Sequence, residues 1–427
     1  MKKNENIWII NHYAGNIPEN DEPTSVGGRH FMFAEQLRKR GFNPVVFCSN
    51  AKHNACGYFH EFKGLSMTEY VKSIDVSFVY VKSRDYTGNG LNRILNMFGF
   101  YRNIIKVGEK CAQEQGVPSI IYASSAHPLS LIAGIKLARR FNVKCICEIR
   151  DLWPESIVAY GLASANNPII KLLYKIEKRI YEKADSIIFT MEGGVEYLHE
   201  KKWTQLEGGK IDTDKIYHIN NGVDLAKYDE NLIKFSYASK ILEDKNIFKM
   251  VYTGSIRRAN NIDKVIDAAQ LLKDTNVHFL IFGEGSERSM LSERCKKESI
   301  HNVYFMGPVE KKYIPSIHSK ADVNFFILED SDLFRFGLSL NKSFEYLASG
   351  RPMIIFGKAN YSMIDRYRCG IHVNSSSIED FVSAIVEIKN LSKHEYHDMC
   401  VNARKAAEKY DYNVLTDKLI RVIEDTK

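Results

Sequence analysis

Short apolar runs separated by amphipathic segments recur along the whole chain, and two periods alternate. In the first half IWIIN from Ile7, PVVFCS from Pro44, SIIYAS from Ser119, KCICEI from Lys144 and DSIIFT from Asp185 read as buried strands. They are too short for helices and rich in β-branched residues. Between them RHFMFAEQLRKRGF places Phe31, Phe33, Ala34 and Leu37 on the inner face of a helix, with Arg38, Lys39 and Arg40 near its negative end. PIIKLLYKIEKRIYEKA reads as a second helix. The pattern returns after residue 247 with FKMVYTG, NVHFLIFG, NVYFMG, ADVNFFIL and MIIF. Strands alternating with helices predict parallel βαβ units, so the fold class is α/β with two Rossmann-like α/β/α domains. KIYHINNGVD is a strand running into a turn, and it marks the end of the first domain. The expected boundaries are 1–221 for the first domain, 222–247 for a linker and 248–409 for the second domain.

Composition changes this picture little. The chain has 427 residues, 44% hydrophobic and 26% charged, enough for two cores of ordinary soluble character. No apolar run approaches the roughly 18 residues of a membrane span, and the N-terminus has too short an apolar run for a signal peptide. The net charge of +7 permits attraction to nucleotide phosphates or anionic lipid without requiring either. The eight cysteines are scattered, and reduced thiols in the cytoplasm are the expectation. Cys145 and Cys147 lie one residue apart on a strand and point the same way, as core residues commonly do.

The chemistry gathers around Leu338 to Pro352, LSLNKSFEYLASGRP. Phe344, Leu347 and Ala348 form a buried helical stripe, Gly350 suits the left-handed position after a helix, and Pro352 prevents continuation. Leu340, Asn341, Lys342 and Glu345 then sit near a helix N-terminus, where unpaired N–H groups and the positive dipole end attract anions. A solvated helix start would look the same taken alone. The stretch resembles the "PSKxxEYxAxGxPV" run of family 4 retaining glycosyltransferases, which have the GT-B fold of two domains facing each other across a cleft. The resemblance implies that Glu345 takes the ribose hydroxyls of a nucleotide-sugar and that the loop amides take its diphosphate. It also implies that the last helix, 410–427, crosses back onto the first domain.

Other positions follow the family in order. Gly27 and Gly28 match its glycine pair, with Phe42 where His is common; the spacing is not GxGxxG, so a dinucleotide is not favoured. His127, just past a strand end, matches the active-site His. Arg150, Asp151 and Trp153 stand in an RDLWPES run that resembles a branch building bacterial surface polysaccharide, including N-acetylfucosamine-type transferases. Asp151 is placed to orient His127 or to accept from an acceptor hydroxyl, and Trp153 is core or a platform for a sugar face. In the second half Gly254 and Ser255 form a glycine loop and Arg258 matches a phosphate-binding Arg. Asn260 replaces a frequent Lys, for which Lys342 can substitute. Gly283 ends a strand, and the backbone at Val309 is a candidate for reading the base. Gly337 stands where many members carry a first glutamate, which puts the donor sugar in question.

From Arg84 to Lys110 five basic residues face two acidic ones. Leu91, Ile94, Leu95, Phe98 and Ile105 mark an apolar helical stripe among them, suited to core packing or to a membrane interface. The reading that unites these features is a retaining glycosyltransferase. It would move a sugar, expected to be an N-acetylated amino or deoxyamino sugar, from a UDP-linked donor to a lipid-linked or saccharide acceptor. His127, Asp151, Arg258 and Lys342 are the expected catalytic groups. No metal or other cofactor is expected, protein cations being expected to replace a divalent ion, and no nucleic acid is expected as partner. The expected location is the cytoplasm, peripheral on the inner face of the plasma membrane. The rivals are a nucleotide-sugar 2-epimerase of GT-B fold and a non-catalytic GT-B partner subunit; a dehydrogenase is disfavoured for want of its glycine motif.

Overall fold

The computed structural model describes residues 5–17, 28–88, 90–125 and 127–427. They fall into two compact units, 1–220 with 412–427 and 221–411. The first unit is built on one eight-stranded sheet: β1 (Asn6–Ile10), β2 (Asn43–Ser49), β3 (Ser66–Val71), β4 (Val76–Val81), β5 (Ile120–Ser124), β6 (Lys144–Ile149), β7 (Ser186–Phe189) and β8 (Ile216–His218). Their order is β3-β4-β2-β1-β5-β6-β7-β8, parallel except for β3, which pairs antiparallel with β4. This edge hairpin, lying between residues 51 and 83, was not anticipated; its outer strand alternates exposed and half-buried positions and carries little apolar signal. The parallel strands are buried on both faces, as helix-covered sheets require.

Helix α1 (Arg29–Lys39) packs with the C-terminal helix Tyr412–Thr426 on one side of this sheet. Phe31, Phe33, Ala34 and Leu37 meet Leu415, Leu419 and Ile423 there, so the last helix completes the first unit. α2 (Leu91–Gln115), α3 (Pro128–Phe141) and the helix Pro168–Lys183 lie side by side, with α3 against both of the others. The α2 stripe divides. Ile105 is buried with Phe100 and Ile104, whereas Leu91, Ile94, Leu95 and Phe98 are exposed, Leu91 by 69% and Phe98 by 55%. Core packing therefore holds only for the second half of that helix.

The second unit carries β9 (Phe248–Thr253), β10 (Val277–Phe282), β11 (Val303–Gly307), β12 (Val323–Ile327), β13 (Met353–Phe356) and β14 (Gly370–Val373). Their order, β11-β10-β9-β12-β13-β14, is all parallel. The segment 222–247, expected as a linker, belongs to this unit. It forms helices at Leu225–Lys234 and Lys240–Glu243, and Val223, Leu225 and Tyr228 enter its core. FVSAIVEI lies within the helix Ile378–Lys389, which covers the sheet through Phe381 and Ile385.

Candidate functional site

In the second unit the C-terminal ends of β9, β10 and β11 converge on the helix Asn341–Ala348. They enclose a cavity of about 550 Å³, lined among others by Gly254, Ser255, Gly283, Val309, Leu340, Asn341, Lys342 and Glu345. These are all the second-half donor positions expected from sequence, brought together from four loops. The place is the one physical chemistry favours, outside the carboxyl ends of parallel strands.

The loops can close on one another because of two glycines. Gly283 has φ +141, and a Cβ there would stand 1.8 Å from the Gly254 carbonyl oxygen. Gly254 has φ +151, and its Cβ would meet the Tyr252 hydroxyl at 3.0 Å and Lys342 Nζ at 3.3 Å. Neither site admits a side chain without backbone movement.

The helix Asn341–Ala348 begins with Leu340 as its N-cap, which provides no side-chain acceptor for the first amides. The Ser343 N–H donates to the Leu340 carbonyl at 3.1 Å, and the apolar N-cap leaves the Asn341 and Lys342 amides to a ligand. The preceding loop is fixed by Asn221: its backbone N–H donates to Ser339 Oγ at 3.0 Å and its amide to the Ser339 carbonyl at 2.7 Å. From the helix interior Tyr346 accepts the Thr253 N–H at 2.9 Å, locking the end of β9 to the helix. Thr253 Oγ1 lies 2.8 Å from Nε2 of the buried His318, whose pKa burial pulls down to about 3.

Two charged groups enter this cavity underpaired. Lys342 Nζ is 3.3 Å from the Tyr252 hydroxyl and 4.6 Å from that ring's centroid; burial lowers its pKa to about 8. Burial raises the Glu345 carboxyl, partly offset by Lys311, whose Nζ is 3.9 Å away. Both groups are driven toward their neutral forms, so both gain from a ligand that supplies charge or hydrogen bonds. Arg258 does not line the cavity. It is exposed on a short 3-10 turn, and its charge acts on Glu329, whose carboxyl is raised by burial and drawn down by that guanidinium. Gly337 has φ +98, so a glutamate there would be strained, and the missing carboxylate goes with a local backbone the family residue cannot adopt.

In the first unit His127 is the N-cap of α3 and is buried. Its ring partner is not Asp151, which is exposed, but His12 at the end of β1, with Nδ1 of His12 2.6 Å from Nε2 of His127. One imidazole donates and the other accepts, so the two cannot both be protonated. Burial lowers both, His12 well below its usual value, with His127 and His53 adding to the effect, and His127 to about 3, with Arg93 adding to it. Tyr13, His53 and Tyr86 extend this cluster, with His53 Nδ1 2.7 Å from the Tyr86 hydroxyl. Sequence reading missed His12 and His53; the signal was available for His12, which directly follows a buried strand. Arg150 is half-buried and held by its backbone, donating to Ser125 Oγ at 2.9 Å. Trp153 is half-buried beside the buried Leu152. Gly27 lies outside the described residues. Gly28 is the exposed N-cap of α1, with open space around it.

Beneath the start of α1, Glu148 is fully buried. Arg29 Nε donates to it at 2.8 Å and Ser124 Oγ at 2.7 Å, the Tyr122 hydroxyl donates as well, and His30 Nε2 lies 3.2 Å away. Arg29 also donates to the Ile219 and Asn220 carbonyls. Despite burial, Arg29 and the other donors hold the Glu148 carboxyl well below the usual range. Among the described residues no cluster of three metal-ligating side chains occurs, and no helix is long and apolar enough to cross a membrane.

Two family models match the chain: "Glycosyltransferase Family 4" over residues 30–227 and "Glycosyl transferases group 1" over residues 234–409. No curated protein matches by sequence. Solved structures share the fold at low identity. Sucrose-phosphate synthase from Thermosynechococcus elongatus is 16% identical with a TM-score of 0.69, covering 99% of this chain and 98% of that one. The Anabaena protein HepE in complex with UDP-glucose is 14% identical with a TM-score of 0.62, covering 99% and 100%. The E. coli trehalose-6-phosphate protein bound with UDP-2-fluoro glucose is 11% identical with a TM-score of 0.70, covering 99% and 98%.

Proposed function

The chain is a GT-B glycosyltransferase built from a family 4 domain and a group 1 domain, and from that premise we propose that the cavity of the second unit holds a UDP-linked sugar. The observation that carries the proposal is the convergence of Gly254, Gly283, Val309, Lys342 and Glu345 on one cavity of about 550 Å³, a size suited to a nucleotide. Glu345 receives the ribose hydroxyls. The open amides at the start of the helix Asn341–Ala348 and the Lys342 ammonium receive the diphosphate. As the glycosidic bond to the diphosphate breaks, negative charge grows on the leaving oxygen. Lys342 and the amides are already oriented toward it, a preorganised electrostatic effect. The protein cation takes the place of a divalent metal in this scheme.

The acceptor side is assigned to the first unit. His127, held neutral by burial, serves there as a hydrogen-bond partner rather than a cation, and Arg150, Asp151 and Trp153 contact the acceptor. Transfer proceeds with retention, the leaving phosphate taking the acceptor proton. An amino or deoxyamino sugar as donor, and a lipid-linked or saccharide acceptor in surface-polysaccharide synthesis, complete the reading. The exposed apolar residues Leu91, Ile94, Leu95 and Phe98, with basic neighbours on α2, support docking at an anionic membrane surface.

The test is a scan of UDP-, GDP-, dTDP- and ADP-sugars for thermal stabilisation. UDP types are expected to raise the melting temperature of the wild type and not of Glu345→Ala. A shift with another base alone corrects the donor, and no shift with any overturns the reading.

A further inference from the structure

On the outer side of the first unit, α3 and the helix Pro168–Lys183 leave a groove of about 350 Å³ between them. Its floor is Ile132, Ile135, Ile176 and Ile180, and its rim is Lys136, Arg139, Arg179 and Lys183. Among the described residues none of these four cations makes an ion pair or a hydrogen bond; Lys136 alone has a further contact, 5.9 Å from the Tyr101 ring centroid. No carboxylate lines the groove.

The asymmetry is built into the helix. Pro168–Lys183 carries five cations, Lys171, Lys175, Lys178, Arg179 and Lys183, against Glu177 and Glu182. Glu177 faces inward, accepting hydrogen bonds at 2.7 Å from both the Tyr181 and Tyr197 hydroxyls. Outward, the same helix exposes Ile169 and Leu172, which continue the isoleucine line of the groove at helical spacing. Four cations at the rim of an apolar trough repel one another unless an anion lies among them, and the trough gains from an apolar chain. A soluble nucleotide or sugar phosphate offers the anion without the chain. A lipid offers both, and its phosphate head suits guanidinium forks.

We propose that this groove binds one anionic phospholipid of a bilayer, its phosphate among Lys136, Arg139, Arg179 and Lys183 and its chain on the isoleucine floor. The inference rests on the membrane-surface part of the functional reading only in that a bilayer supplies the lipid, and the groove is distinct from the exposed stripe of α2.

Flotation with vesicles tests it, comparing neutral phosphatidylcholine with the same lipid carrying roughly 30% phosphatidylglycerol. The wild type is expected to float with the anionic vesicles and not with the neutral ones. Arg139→Glu with Arg179→Glu is expected to weaken binding at least about tenfold. Ile176→Trp, which fills the floor and keeps every charge, is expected to weaken it severalfold while melting with the wild type. Binding by Ile176→Trp equal to the wild type overturns the groove and leaves only a charged face. Loss of binding in Leu95→Asp with Phe98→Asp, with both groove variants unaffected, also overturns it and leaves docking through α2. Loss in the groove variants with the α2 variant intact supports the groove and removes α2 docking. No flotation of the wild type with anionic vesicles overturns both.

Discussion

Each unit sets charge beside a helix start, fully buried in the first and half-buried in the second, and the two do so in opposite ways. In the first unit Arg29 and Glu148, 2% and 0% exposed, meet at 2.7 Å with every neighbouring donor satisfied. In the second, among the described residues, Lys342 has a tyrosine hydroxyl and two aromatic rings but no carboxylate, and Glu345 has a lysine 3.9 Å away. The pKa directions record the contrast: Glu148 is held well down in its charged form, whereas Glu345 is raised and Lys342 lowered. A buried charge with a full set of partners is architecture. One left short of partners marks where a ligand completes the set.

The largest expected effect lies on the architectural side. Glu148→Ala leaves Arg29 buried without its carboxylate, and chemical denaturation should show a loss of about 3–5 kcal/mol. Lys342→Met should behave in reverse, melting close to the wild type while weakening donor binding about tenfold or more, as loss of a charged hydrogen bond implies. An equal stability loss in both variants would erase the distinction drawn here.

Acidity separates the two further. Lys342 must be protonated to hold a diphosphate, and its pKa in the free protein is about 8. Donor affinity should therefore be flat at lower pH and fall as pH rises past that value, and this fall should be absent in Lys342→Met. Glu177 supplies the structural counterpart. Burial raises its pKa to about 8 from 4.5, so between those values the unfolded chain has lost a proton that the folded one keeps. Its contribution is fully present below pH 4.5 and is lost as pH rises toward about 8. Glu177→Gln should flatten that part of the stability profile measured by thermal melting. The smallest effect expected is that of a chelator, which should leave donor binding unchanged.

Much of this was legible in the chain itself. The strand and helix order follows from short β-branched runs and 3.6-residue stripes. Every second-half donor position falls on the cavity, because those residues end strands or start a helix. Arg258 is exposed and does not line the cavity, and its place on the 3-10 turn Arg258–Asn260 was not legible because turns of that kind have no periodic signal. The His12–His127 pair escaped because the two residues are 115 positions apart and meet only when β1 and β5 lie side by side. The role of 222–247 was hidden by its short helices, whose apolar positions are few. The exposed half of α2 shows the limit of periodicity: a stripe says which residues share a face, not what covers it.

The most direct test of the donor site is a calorimetric titration of UDP near pH 8 in two buffers of different ionisation enthalpy. One UDP should bind per chain with proton uptake, since the diphosphate restores the charge of Lys342, and the uptake should vanish in Lys342→Met. UDP binding without proton uptake, or uptake that survives that substitution, would contradict the placement of the diphosphate beside Lys342.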